Sequence, residues 1–287
     1  MVKWRSERRS SNVEDRRGRT ARRGVGTPMK MTGGVGVLIV LAVVLLGGDP
    51  GALLQLTESA PMETQSPRAP AGAPPAEDDE AQFISSMLAS TEDVWKELFA
   101  QAGVTYRDPR LVLFSDAVNS ACGFNTSATG PFYCPPDQQI YIDLSFFREL
   151  SRMGGPGDFA RAYVLGHEVG HHIQQLTGIS DNIRREQQAA GRGAAANQLQ
   201  VRMELQADCL AGVWAHHANR TRQILQPGDV EEGLAAAEAI GDDRLMRNAG
   251  RNVSPESFTH GTSQQRRDWL ERGLRSGDPD QCDTYGG

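Results

Sequence analysis

Several things are scarce or missing in this 287-residue chain, and each absence removes a class of protein. No apolar run extends beyond the eighteen residues 31–48, which excludes a polytopic membrane protein. There is no C-x-x-C pair among the four cysteines, which argues against a cysteine-based zinc knuckle. Basic charge is not in excess beyond residue 30: the first thirty residues carry ten Lys/Arg against three Asp/Glu, net +7, and the remainder carries −13. An acidic body of that kind is not a nucleic-acid binder. The basic arm has no aromatic besides Trp4, so it reads as a solvated topology signal and not as a nucleic-acid clamp. What is present, 39% hydrophobic and 23% charged residues, excludes a wholly disordered chain.

The N-terminal third divides by composition. Residues 1–30 form the basic arm. Residues 31–48, MTGGVGVLIVLAVVLLGG, carry no charge and as a helix would be ~27 Å long, close to a ~30 Å hydrocarbon core. They read as a transmembrane signal anchor, with a cleaved signal peptide as the alternative. The positive-inside rule then places residues 1–30 in the cytoplasm and the rest outside, periplasmic or extracellular. Residues 49–80 include Pro61, Pro67, Pro70, Pro74 and Pro75 and read as a disordered linker. Residues 81–287 remain for one globular domain, with no internal repeat. On the outer side of a membrane four cysteines suggest two disulfides. Cys122 and Cys134 bracket a short loop and make a local pair, which leaves Cys209 with Cys282; free buried thiols are the alternative.

Hydrophobic spacing and turn residues predict helices over 92–102, 145–152, 159–176, 201–217, 229–240 and 262–276, with strands over 111–114 and 139–143. Asp158, Asp229 with Glu232, and Thr262 with Gln265 are expected helix caps. The fold class is therefore α+β, mostly helical, with a small early β-sheet.

The chemistry concentrates in two of these helices. His167-Glu168-Val169-Gly170-His171 puts two imidazoles one turn apart on one face, within reach of one metal ion. Glu168 lies about 100° around the helix, beside the metal, where it suits a base for a water activated by that metal. A metzincin extension would need Gly at 174 and His at 177; Gln174 and Thr177 exclude it. Glu204 and Asp208, again four apart, supply a third ligand and an acceptor for a ligand imidazole's free N–H. Asp181 and Glu186 are weaker ligand candidates. His260 could donate to an oxyanion. His172 is expected to be structural, and His216-His217 to face a helix C-terminus. The 139–143 strand could take extended substrate backbone, though packing is its simpler role.

HEVGHHIQ followed by MELQADCLAGVWA resembles the YpfJ-like neutral zinc metallopeptidases of bacteria. SACGFNTSATGPFYCPPDQQIYIDLSFFREL and SFTHGTSQQRRDWLERGLRSGDPDQCDTY are similar to the same family, so the resemblance spans roughly residues 81–287. It implies a zincin-like, thermolysin-like half-fold in which His167, His171 and Glu204 hold Zn2+, Glu168 is the base and Asp208 supports a ligand. The expectation is a membrane-anchored zinc metallopeptidase acting on peptides or proteins. The alternatives are a non-catalytic, zinc-stabilised tethered binding module and a zinc amidase acting on cell wall.

Overall fold

The computed structural model describes residues 1–18 and 72–285. The first strand, Val13–Asp15 (β1), comes from the basic arm and pairs in parallel with Arg110–Phe114 (β2), Val13 opposite Leu111. Ala117–Ser120 (β3) and Gly123–Thr126 (β4) make a separate antiparallel hairpin. Phe132–Cys134 (β5) and Gln139–Asp143 (β6) complete a mixed four-stranded sheet of order β1-β2-β6-β5. The helices are Asp79–Gln101 (α1), Ser145–Met153 (α2), Asp158–Leu176 (α3), Ile179–Ala190 (α4), Ala194–Arg222 (α5), Asp229–Ala239 (α6), Asp242–Asn248 (α7) and Ser263–Ser276 (α8). The fold is mostly helical α+β with a small mixed sheet.

Alternation sorts the central strands onto two faces. Leu111, Leu113, Ile140 and Ile142 join the main core with the helices, while Val112, Phe114 and Tyr141 pack on the other face with Val118 and Cys134. A sheet covered on both faces selects continuous apolar runs, which is why these short strands are visible in the sequence. β6 is paired along its whole length by β2 and over Gln139–Tyr141 by β5, which leaves little of its edge for a substrate strand. The terminal strand at that end of the sheet is β5.

α3 lies in the middle of the core and is buried on nearly every side, from Phe159 to Gln174. That explains its irregular apolar spacing, since a helix buried all round has no single apolar stripe. Its approach to α5 depends on Gly170: a Cβ there would lie 2.9 Å from the backbone of Ala207. α8 comes equally close on α5's other side, where a Cβ at Gly273 would lie 1.9 Å from the Cys209 carbonyl oxygen. Cys209–Cys282 ties the chain after α8 to α5, and Cys122–Cys134 ties the β3–β4 turn to β5.

Several element ends differ from expectation for identifiable reasons. α1 starts at Asp79 instead of 92, because Asp78 caps it through the Ala81 N–H and its first half is buried by the N-terminal arm. Glu232 does not form a capping box with Asp229; its carboxylate accepts the Phe159 N–H at the start of α3. Gly157, not Asp158, is the residue preceding α3. The Thr262–Gln265 capping box is present at α8.

The largest departure concerns the arm. It is not a solvated tail: Val2, Trp4 and Val13 belong to the main core, and the Trp4 ring stands edge-on to Phe83 at 5.7 Å. Arg8 pairs with the buried Glu92 at 2.8 Å and with Asp93 at 2.6 Å. Ser10 and Asn12 also donate to Glu92, and Arg17 bridges Asp15 and Asp78. Arg5, Arg8 and Arg17 are thus ion-pair partners of the acidic body. The folded unit includes residues 1–18 together with 72–285. The expected span 31–48 and most of the expected linker lie outside the described residues; among those described, no helix is long and apolar enough to cross a membrane.

Candidate metal centre

His167 and His171 sit one turn apart on α3, and Glu204 faces them from α5. The three ligand-type atoms form a nearly equilateral triangle. Nε2 of His167 is 3.2 Å from Nε2 of His171 and 3.1 Å from Oε2 of Glu204, and His171 Nε2 is 3.4 Å from that same oxygen. Ligands ~2.0–2.1 Å from a tetrahedral ion stand about 3.3 Å apart, so the spacing matches three corners of a zinc tetrahedron. Among the described residues this is the group of three ligand-type side chains able to hold an ion.

Hydrogen bonds on the far sides of the rings fix which nitrogen is free. His167 Nδ1 is 2.7 Å from Oδ1 of Asp208, an acceptor only, so Nδ1 carries the proton and Nε2 keeps its lone pair. His171 Nδ1 is 2.9 Å from Oε1 of Gln174, whose amide nitrogen donates to the Met203 carbonyl and to Gln206. His171 therefore has the same tautomer. Two ring nitrogens and a carboxylate oxygen converging at ~3 Å are satisfied by a cation among them or, without one, by a proton on an imidazole. Glu204's other oxygen accepts from Gln200 at 2.7 Å.

The charges carry the same demand. Burial would lower the pKa of His167, but Asp208's charge and hydrogen bond, with that of Glu204, raise it to about 9. His171 is raised against burial by Glu204. Burial works to raise Glu204 and Asp208, yet the imidazoles pull Glu204 well below its usual range, and Arg266 with His167 brings Asp208 to about 2. Without a metal the two carboxylates draw protons onto the imidazoles; a divalent ion answers the same need.

Glu168 is 6% exposed and lines the cleft beside this triangle. Burial pushes its carboxyl up, opposed by His167 and His171. The cleft has a volume of about 790 Å³. Phe146, Met153, Val164, Ile240 and Leu245 give it an apolar part, while Ser180, Arg184, Gln187 and Gln200 of α4 and α5 give it a polar one. Residues 127–133 form another wall, held in place by Cys122–Cys134 and by Asp143, which accepts from Ser127 and from the Asp116 N–H.

His260 also lines the cleft, its side chain 49% exposed and its Nδ1 3.2 Å from Asp242. The hydrogen bond it donates to Asp242 raises its pKa despite partial burial. The other sequence candidates lie elsewhere. Asp181 is an exposed residue of α4 paired with Arg184, and neither it nor Glu186 joins the triangle. His172 is buried between Tyr133, whose hydroxyl is 3.0 Å from Nδ1, and the Arg107 carbonyl; burial lowers its pKa to about 4. His216 and His217 do not face their own helix end, since α5 runs on to Arg222; they bond to the Leu274 and Gly277 carbonyls.

Three site residues escaped the sequence reading. Gln174 and Tyr163 lie three residues after His171 and four before His167, on the same helix face, so spacing alone could have found them. Arg266 stands 58 residues from Asp208 in sequence, and no local pattern connects them.

An Escherichia coli protein, YpfJ, named only as uncharacterized, is 47% identical over 289 residues, covering 99% of both chains. An uncharacterized protein of Mycobacterium tuberculosis is 39% identical over 264 residues, covering 84% of each. No solved structure matches the chain. Residues 2–285, arm included, match the family described as "Putative neutral zinc metallopeptidase", and with the His-His-Glu triangle on one cleft wall the chain belongs to that family.

Proposed function

We propose that the protein is a zinc-dependent peptidase of zincin-like architecture that hydrolyses peptide bonds in exported or extracellular polypeptides. The observation that carries this reading is the His167–His171–Glu204 triangle with Glu168 beside it in an open cleft. A purely structural zinc site is closed by a fourth protein ligand and has no use for a buried acid alongside. Zinc held by those three residues supplies Lewis acidity toward a scissile carbonyl and toward water. Glu168 takes the proton of the attacking water on its carboxylate and returns it to the leaving amine. His260, whose protonated form Asp242 favours, donates to the oxyanion. An extended substrate lies along β5, the terminal strand, whose Phe132 and Tyr133 line the cleft.

The two disulfides favour a domain working outside the cytoplasm. The arm accompanies it, because β1 and the Glu92 ion pairs leave residues 1–18 inseparable from the fold.

The test is a peptide-library digest with wild type and Glu168→Gln. The variant keeps zinc at wild-type stoichiometry and loses about 10²–10⁴ in kcat/KM. Equal cleavage by both proteins removes Glu168 from the chemistry. Zinc binding with no cleavage of any peptide by wild type returns the site to a binding or cell-wall amidase role.

A further inference from the structure

We infer that Arg266 is a positioning residue for the metal-binding imidazole of His167, acting through Asp208. The inference rests on reading His167, His171 and Glu204 as zinc ligands. Asp208 is fully buried and accepts four hydrogen bonds. Its Oδ1 takes His167 Nδ1 at 2.7 Å, the Tyr163 hydroxyl at 2.6 Å and Arg266 Nη2 at 2.9 Å; its Oδ2 takes Arg266 Nε at 2.9 Å. Nη2 also donates to the Tyr163 oxygen at 3.1 Å, closing the network.

A bidentate guanidinium fixes the carboxylate plane as well as its position, which a point charge does not. With Nε on one oxygen and Nη2 on the other, the carboxylate cannot rotate about its Cβ–Cγ bond. Oδ1 is thereby held on the His167 N–H and Nε2 on the ligand triangle. Arg266 itself is 2% exposed.

The competing role is a structural tie between α8 and α5. That tie already exists without the guanidinium. Gly273 sits on the Cys209 carbonyl, Gly212 on the Leu270 carbonyl, and Cys209–Cys282 fastens the chain after α8. Besides a long contact from Nη1 to the Ile240 carbonyl at 3.4 Å, what Arg266 adds to this packing is aimed at the metal-binding ring.

The experiment measures zinc affinity by competition with a chromophoric chelator, and the visible spectrum of the cobalt-substituted protein. The proteins are wild type, Arg266→Gln, Arg266→Lys, Asp208→Asn and the Arg266→Gln/Asp208→Asn double variant, with the thermal midpoint of each metal-free protein as the folding control. Arg266→Gln and Arg266→Lys weaken zinc binding about ten- to hundredfold and alter the cobalt spectrum. Adding Arg266→Gln to Asp208→Asn causes far less loss than Arg266→Gln alone, since the Arg266 effect on His167 runs through Asp208. Wild-type affinity in either Arg266 variant, or losses that multiply in the double variant, overturns the inference. So does a loss confined to the unfolded fraction. These readouts need no peptide cleavage: a zinc-binding protein that cleaves nothing refutes the peptidase reading alone, whereas a wild type that binds no zinc refutes both.

Discussion

At the scale of single residues, the site separates into groups that hold a cation and groups that move or stabilise charge. His260 belongs to the second kind, and its partner sets the pH at which it works. The hydrogen bond it donates to Asp242 raises its pKa above the usual 6.5, while Asp242 is held below its usual range chiefly by His260 and the loop N–H groups, against burial. The sign follows from each partner. The raised His260 contributes stability fully below pH 6.5 and loses it as pH rises through the raised value. The lowered Asp242 contributes above the ordinary carboxylate range and loses it as acid protonates it. The ion pair thus extends the range of the protonated imidazole upward from that of a free histidine. Asp242→Asn should shift the alkaline limb of kcat/KM to lower pH, with about tenfold less protonated His260 on that limb per pKa unit lost. His260→Gln should abolish the limb altogether. An Asp242→Asn profile superimposable on wild type would remove His260 as the acid.

At the scale of elements, the metal triangle depends on how closely α3 and α5 approach. Gly170→Ala places a Cβ 2.9 Å from the Ala207 backbone, one turn from Glu204, and a helix can answer only by moving away. Overpacking of this kind costs about 1–3 kcal/mol, and it widens the distance from Glu204 to both imidazoles. The expected result is a lower thermal midpoint together with weaker zinc binding; unchanged zinc affinity would show that Glu204 follows α3 regardless of the spacing. The same contrast governs what the sequence revealed. HExxH and the Glu204–Asp208 repeat are i, i+4 patterns, and helix periodicity makes such patterns readable. β2 and β6 were readable because burial on both faces demands apolar runs. β1, β3 and β4 were not: Val13-Glu14-Asp15 has one apolar residue, and the hairpin 117–126 is largely exposed and pinned by Cys122–Cys134. α4 was missed because its outer face is polar and only Ser180 and Ile183 are buried. Arg266 was missed because its partners come from other helices.

At the scale of the whole molecule, the packing of residues 1–18 on the body bears on topology. Charge counting alone treats ten basic residues before an apolar segment as a cytoplasmic signal, yet in the fold Arg5, Arg8 and Arg17 pair with carboxylates of the body. Glu92 is 1% exposed and depends on Arg8, Ser10 and Asn12 for its donors. Removing one partner of a fully buried ion pair costs about 3–5 kcal/mol; Arg8 is 43% exposed on its side chain, so Arg8→Ala should cost nearer 2 kcal/mol, measured by urea unfolding. If the arm were left across a membrane from the domain, Glu92 would be stranded, Phe83 uncovered and β1 removed from the sheet. The arm and residues 72–285 are therefore expected on one side of any membrane. Because no described cysteine is free, single cysteines introduced at the exposed Ser6 and Val104 report each side separately. In intact cells with a permeable outer layer, a membrane-impermeant maleimide should label both or neither. Labelling of Val104→Cys with protection of Ser6→Cys until the membrane is lysed would restore the single crossing and require the arm to leave the fold.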